Sequence, residues 1–246
     1  MRWARFALAA ALTAALPQAA RAAVIDFSQA LGGADGRYQS NVFSAGPVTV
    51  EAFYLDRGAY TSGAKRIAGQ WREVRLFVRN EPNDHGFGVC NPREIASRAC
   101  RPPDTYAGGG GETNELDDAG TPELLRVSLA AGWTWESLWV SSLDGRERGE
   151  IRYSDDASLS RRAVRRADLL LAYRHDPGEA FEVELPVTGA ARTARFLFVI
   201  PGPHGRDNDH LLWQAAVTQV PEPGTLALVA TGVAAIGVAR ARRRWL

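Results

Sequence analysis

Catalytic signatures, cysteine and helical periodicity are all scarce in this sequence, and each scarcity closes off a class of answer. Four histidines occur in 246 residues, His85, His175, His204 and His210, each in a stretch of Asp, Pro or Gly that reads as a turn. There is no Gly-x-Ser-x-Gly elbow, no His-Glu-x-x-His pair and no phosphate-binding glycine loop, so hydrolase, zinc-peptidase and nucleotide-binding readings lack a motif. The glycine run at 108–111 is followed by acidic residues that would repel a phosphate. Helical spacing of apolar residues is almost missing from the interior of the chain, and no linker-like change of composition divides it. A single domain of roughly 200 residues is therefore expected, ample for a hydrophobic core.

What is present stands first at the two ends. Arg2 and Arg5 precede the apolar run 6–16, then come Pro17 and the box Ala20-Arg21-Ala22. Basic, apolar and small-x-small segments in that order make residues 1–22 a secretory signal helix, removed by signal peptidase after Ala22 or Ala23. At the other end, 17 uncharged residues separate Glu222 from Arg240, the short limit for a spanning helix. Leu226, Leu228, Val229, Val233, Ile236 and Val238 supply the apolar surface of this expected transmembrane helix. Residues 225–239 have no polar face of the kind a helix packed on a domain would keep. The basic cluster Arg240, Arg242, Arg243 and Arg244 stays on the cytoplasmic side, which puts the body outside the cytoplasm. Pro221 and Pro223, flanking Glu222, stiffen an extended segment suited to a protease that needs strand-like substrate. Without residues 1–22 and 221–246 the body keeps 22 basic against 27 acidic residues, a formal charge of −5. Nucleic-acid binders are normally basic, so no nucleic-acid partner is expected.

The order Pro221-Glu222-Pro223, apolar span, arginine cluster resembles, over residues 220–246, the PEP-CTERM sorting signal of Gram-negative bacteria that make extracellular polysaccharide. The resemblance implies an exosortase, a membrane cysteine transpeptidase that cuts near the Pro-Glu-Pro, as a processing partner. It also implies a route from an inner-membrane intermediate to the cell envelope surface or extracellular matrix, and it implies nothing about the activity of the cargo. A second likeness lies in the body. Gly86, Phe87, Gly88 and Val89, followed by Asn114, Glu115, Leu116, Asp117 and Asp118 and then a strand, are similar to a central motif of many PEP-CTERM cargo proteins. Here a cysteine-bounded loop and four glycines separate its two halves.

The body, residues 23–219, reads as all-β. Ten segments such as VTVEAFYL (48–55), WREVRLFVRN (71–80), WTWESLWVSSL (133–143) and LLWQAAVTQV (211–220) alternate or run apolar, with turn residues between them. That pattern predicts an antiparallel β-sandwich, jelly-roll-like. In 48–55 both faces carry apolar groups, Val48, Val50, Ala52 and Tyr54 on one and Phe53 and Leu55 on the other, which predicts a central strand. Residues 158–173 are ambiguous, since Leu159, Ala163, Val164 and Ala167 suit a short helix. The longest irregular stretch is expected from Asn80 to about Pro122, and loops of that length are commonly functional or mobile.

Several groups in the body could carry chemistry. Cys90 and Cys100 are the only two cysteines. In an oxidising compartment they read as a disulfide, the alternative being half of a metal site without nearby Cys or His partners. Glu112, Glu115, Asp117 and Asp118 cluster as calcium ligands do. They also suit a solvated turn, or pairing with Arg93, Arg98 or Arg101. Apart from a structural calcium, no cofactor is expected. Asp207, Asn208 and Asp209 form a second acidic turn, which could share an ion with the first if the two meet. Trp133, Trp135 and Trp139 would share one face of an unbroken strand, either as a glycan-stacking platform or as core. No catalytic residue is assigned. The reading is a non-catalytic structural or adhesive surface protein with exopolysaccharide as a ligand. The alternative is a polysaccharide-acting enzyme on a jelly-roll scaffold, because paired carboxylates for glycoside hydrolysis are easily found among 27 acidic residues.

Overall fold

The computed structural model describes residues 21–34, 36–56, 70–92, 116, 122–143, 147–159, 164, 167–174, 180–201 and 210–221. Its strands are β1 (Ala22–Asp26), β2 (Gly36–Arg37), β3 (Val42–Ala45), β4 (Val48–Asp56), β5 (Gln70–Glu73), β6 (Arg75–Glu81) and β7 (Asp84–Cys90), followed by β8 (Glu123–Leu129), β9 (Trp133–Ser141), β10 (Arg148–Ser154), β11 (Asp168–Arg174), β12 (Val183–Pro186), β13 (Phe196–Pro201) and β14 (Leu211–Gln219). They form two seven-stranded sheets. One has the order β12-β9-β14-β7-β6-β2 with β1 also on β14, and the other β11-β10-β13-β8-β4-β3 with β5 also on β4. Every pairing with a defined register is antiparallel. Two packed antiparallel sheets are what the strand pattern predicts, although seven strands in each exceed the eight-strand jelly-roll plan.

The main core lies between the sheets. Val48, Val50 and Ala52 of β4 enter it with Leu125 and Val127 of β8 and Leu197 and Val199 of β13. The alternate positions Phe53, Leu124, Phe196 and Phe198 form a second apolar cluster with Val164 and Ala167. Because side chains alternate across a strand, this cluster lies on the opposite face of the same sheet. Val164 and Ala167, which lie between β10 and β11 in the chain, cover this face with Leu159 packed against it. The apolar character of both faces of 48–55 is thereby accounted for. Arg126 fastens the cover. Its guanidinium lies 5.3 Å from the ring centroids of both Phe53 and Phe196, donates to both Glu51 carboxylate oxygens at 2.8 Å, and donates to the Ala157 carbonyl at 2.7 Å.

Three expectations need correction. Residues 71–80 are two strands: β5 pairs with β4 in one sheet and β6 with β7 in the other, the crossing falling at buried Val74, whose N–H donates to the Ala52 carbonyl. Alternation runs on through Val74, so the period alone does not reveal the change of sheet. Next, the expected irregular stretch from Asn80 contains β7, which pairs with β6 in a tight hairpin whose turn residue Asn83 has φ 72°. Gly86, φ 116°, is needed there, because a Cβ at that position would collide with the Leu212 carbonyl and the Trp213 Cα of β14.

Third, the tryptophans of β9 do not share a face. Trp135, Leu138 and Val140 are all fully buried in the main core, so the alternation slips by one residue between 135 and 138, as at a bulge. The neighbouring strand β14 slips likewise, with Leu212, Ala215 and Val217 all in the core.

The chain divides into two compact units, Ala23–Val217 and one joining Met1–Ala22 with Thr218–Leu246. In the second, the Gln219 N–H donates to the Arg21 carbonyl at 2.8 Å. Among the described residues no helix is long and apolar enough to cross a membrane. The expected transmembrane helix lies outside those residues, as does the signal helix up to residue 20.

Candidate functional site

The chain enters β14 at His210, which is completely buried. Its carbonyl accepts the Leu116 N–H at 2.9 Å in an antiparallel bridge. In sequence Leu116 is the centre of the acidic box 114–118 and His210 follows Asp207-Asn208-Asp209; the bridge itself pairs Leu116 with His210. The His210 Nε2 lies 2.7 Å from the Tyr173 hydroxyl, and the rings meet edge to face at 84°. Among the described residues the His210 Nδ1 has no hydrogen-bond partner. Burial pushes the His210 pKa down to about 3. Burial, and then the charge of buried Glu147, raises that of Tyr173 well above its ordinary value. Space for the phenol comes from Gly149, its partner residue on β10, where a Cβ would strike the Tyr173 ring. The pair is thus neutral at physiological pH. Neither group titrates near neutrality, where a general acid or base is most effective.

A second polar cluster is accessible. His85 Nε2 meets Glu182 Oε1 at 3.0 Å, with side-chain exposures of 21% and 35%, and the imidazole lies 5.3 Å from the half-buried Trp213 ring. The backbone of His85 is held by Ser141, whose hydroxyl accepts its N–H and donates to its carbonyl. Beside it, Asp84 accepts from the Ser142 hydroxyl at 2.7 Å and pairs with Arg79 at 3.3 Å. A half-buried indole with a tilted imidazole beside it, itself bonded to a carboxylate, combines an apolar ring with hydrogen-bonding groups. This grouping escapes sequence reading, because His85, Glu182 and Trp213 come from three distant segments. The only local signal is an aromatic residue in the mixed run LLWQ.

The expected site residues fall as follows. Trp135 is buried and its Nε1 donates to the Ala194 carbonyl at 2.9 Å, Trp133 packs against the core, and Trp139 is half-buried opposite Glu184. A glycan-stacking platform of the three is therefore excluded. Cys90 is fully buried beside Phe77 and is not a free thiol. Its expected partner Cys100 lies outside the described residues, as do Glu112, Glu115, Asp117 and Asp118. No group of three or more His, Cys, Asp or Glu that could hold a metal occurs among the described residues. Of the processing residues only Pro221 is described. Glu222, Pro223, the apolar residues from Leu226 to Val238 and the four arginines lie outside.

The search of curated proteins found no match. The family model for the PEP-CTERM protein-sorting motif matches residues 219–244. That segment begins at Gln219, the last residue of β14, and takes in Pro221-Glu222-Pro223, the apolar run and the arginine cluster. The chain therefore carries, over residues 219–244, a PEP-CTERM protein-sorting motif, which supports export and sorting by an exosortase to the cell envelope or surface.

Proposed function

We propose that the protein is a non-catalytic β-sandwich cargo, structural or adhesive in role, whose ligand is exopolysaccharide. In this reading signal peptidase removes residues 1–22, the helix at 226–239 holds the body briefly in the inner membrane, and the exosortase then passes residues 23–219 to the envelope surface or matrix. The observation that carries it is the sorting motif at 219–244. Glu222→Ala is expected to leave the tail attached, read by mass spectrometry of the protein from its own host. Removal of the tail at the normal rate from that variant would sink the sorting account.

Exopolysaccharide binding is supported by the Trp213, His85 and Glu182 cluster, since indole faces suit the C–H faces of sugars and the imidazole and carboxylate suit their hydroxyls. Glycan-array binding that Trp213→Ala abolishes, with no product formed, is the expected result. Soluble oligosaccharide release lost on one carboxylate substitution would favour the enzyme instead. The neutral, titration-silent His210 and Tyr173 pair gives that alternative no acid or base at this buried site.

Two further features belong to this reading. A structural calcium on Glu112, Glu115, Asp117 and Asp118 is supported by the bridge between Leu116, inside the box in sequence, and His210. Millimolar calcium added to chelated protein should then raise Tm; an unchanged Tm removes the ion. A Cys90–Cys100 disulfide would close a short loop and stabilise by roughly 2 to 3 kcal/mol, and non-reducing peptide mapping should recover the two cysteines in one linked fragment.

A further inference from the structure

We propose that an uncut signal peptide latches the start of the sorting motif, so that the N-terminal cut speeds the C-terminal one. The inference rests on the processing route proposed above. Its basis is the bond between the Arg21 carbonyl and the Gln219 N–H, 2.8 Å, at the place where β1 begins and β14 ends. Gln219 is the first residue of the matched motif and stands two residues before Pro221. Val220 is already 44% exposed, and Pro221 has no N–H with which to continue a ladder.

Signal peptidase cutting after Ala22 or Ala23 deletes Arg21 together with the acceptor. The Gln219 N–H then turns to water and the paired end of β14 recedes from the Pro-Glu-Pro. A protease that binds its substrate as an extended strand needs those backbone groups for itself, so a segment held in a ladder up to Gln219 is a poorer substrate than one released from it. The latch is backbone to backbone. The box Ala20-Arg21-Ala22 thus serves twice, as the sequence signal peptidase reads and as the carbonyl that marks a chain it has not yet read. One backbone hydrogen bond corresponds to roughly a two- to tenfold change in the open population, and that is the expected slowing of tail removal.

The test follows tail loss by pulse-chase and mass spectrometry in the producing host, using the full chain. Ala20→Leu with Ala22→Leu blocks the N-terminal cut and should slow tail loss two- to tenfold. Adding Gln219→Pro, which removes the donor, should restore the rate. Inserting Gly-Ser-Gly-Ser between Gln219 and Val220 should restore it too, because the latch stays while the Pro-Glu-Pro moves clear of it. The inference falls if the uncut chain loses its tail as fast as the wild type, or if neither unlatching change restores the rate. If the wild type itself keeps its tail, the processing route is what fails.

Discussion

His210 shows how far one side chain can depart from what its neighbours in sequence suggest. HGRDNDH reads as a solvated turn, yet the imidazole ends completely buried against Tyr173. Its backbone pairs with Leu116, some ninety residues earlier in the chain, and its ring with Tyr173; nothing in the local sequence announces either contact. The pH consequence has a definite sign. A histidine whose folded pKa lies near 3 binds protons less readily folded than unfolded. Stability therefore falls as pH drops from about 6.5 towards 3, by up to about 1.4 kcal/mol per pH unit. Urea unfolding of the wild type across that range should show the loss, and His210→Gln should show a shallower slope. Gly86 is the opposite case. Its likeness to a known motif is visible in the sequence, but the reason for a glycine, the backbone of β14 passing over it, appears only in the fold.

The strands themselves are largely legible, because a period of two survives in segments such as 48–55 and 123–129 whatever they pair with. Where reading by period fails is in the slip between Trp135 and Leu138. A slip is set by the strand alongside, and β14 carries a matching one between Leu212 and Ala215. Counting odd and even positions along β9 therefore gives a tryptophan face that does not exist. β7 is missed for a related reason: its two glycines and its Asp, His and Cys look like loop, and only close packing against β6 and β14 makes them strand. Trp135→Phe keeps the inward direction but loses the bond to Ala194 and part of the indole volume. It should destabilise by about 1 to 3 kcal/mol, seen as a lower urea midpoint with an unchanged m-value.

Successive strands often change sheet, and the chain returns at its end to fill a central position: β14 lies between β9 and β7, and β1 pairs with it as well. The two-sheet plan could be anticipated from composition and strand count, but the strand order could not, since it depends on partners far apart in the chain. A protein ending at Gln219 should retain the near-ultraviolet circular dichroism and Tm of the full body. One ending at His210 should lose both, because the gap it leaves is in the middle of a sheet. The place of β14 also sets a tempo. β1 and β14 stand almost the whole body apart in sequence, and folding driven by such distant pairings is slow. The first strand waits for the last, so the sheet that holds β14 is completed only when the final strand of the body has been made.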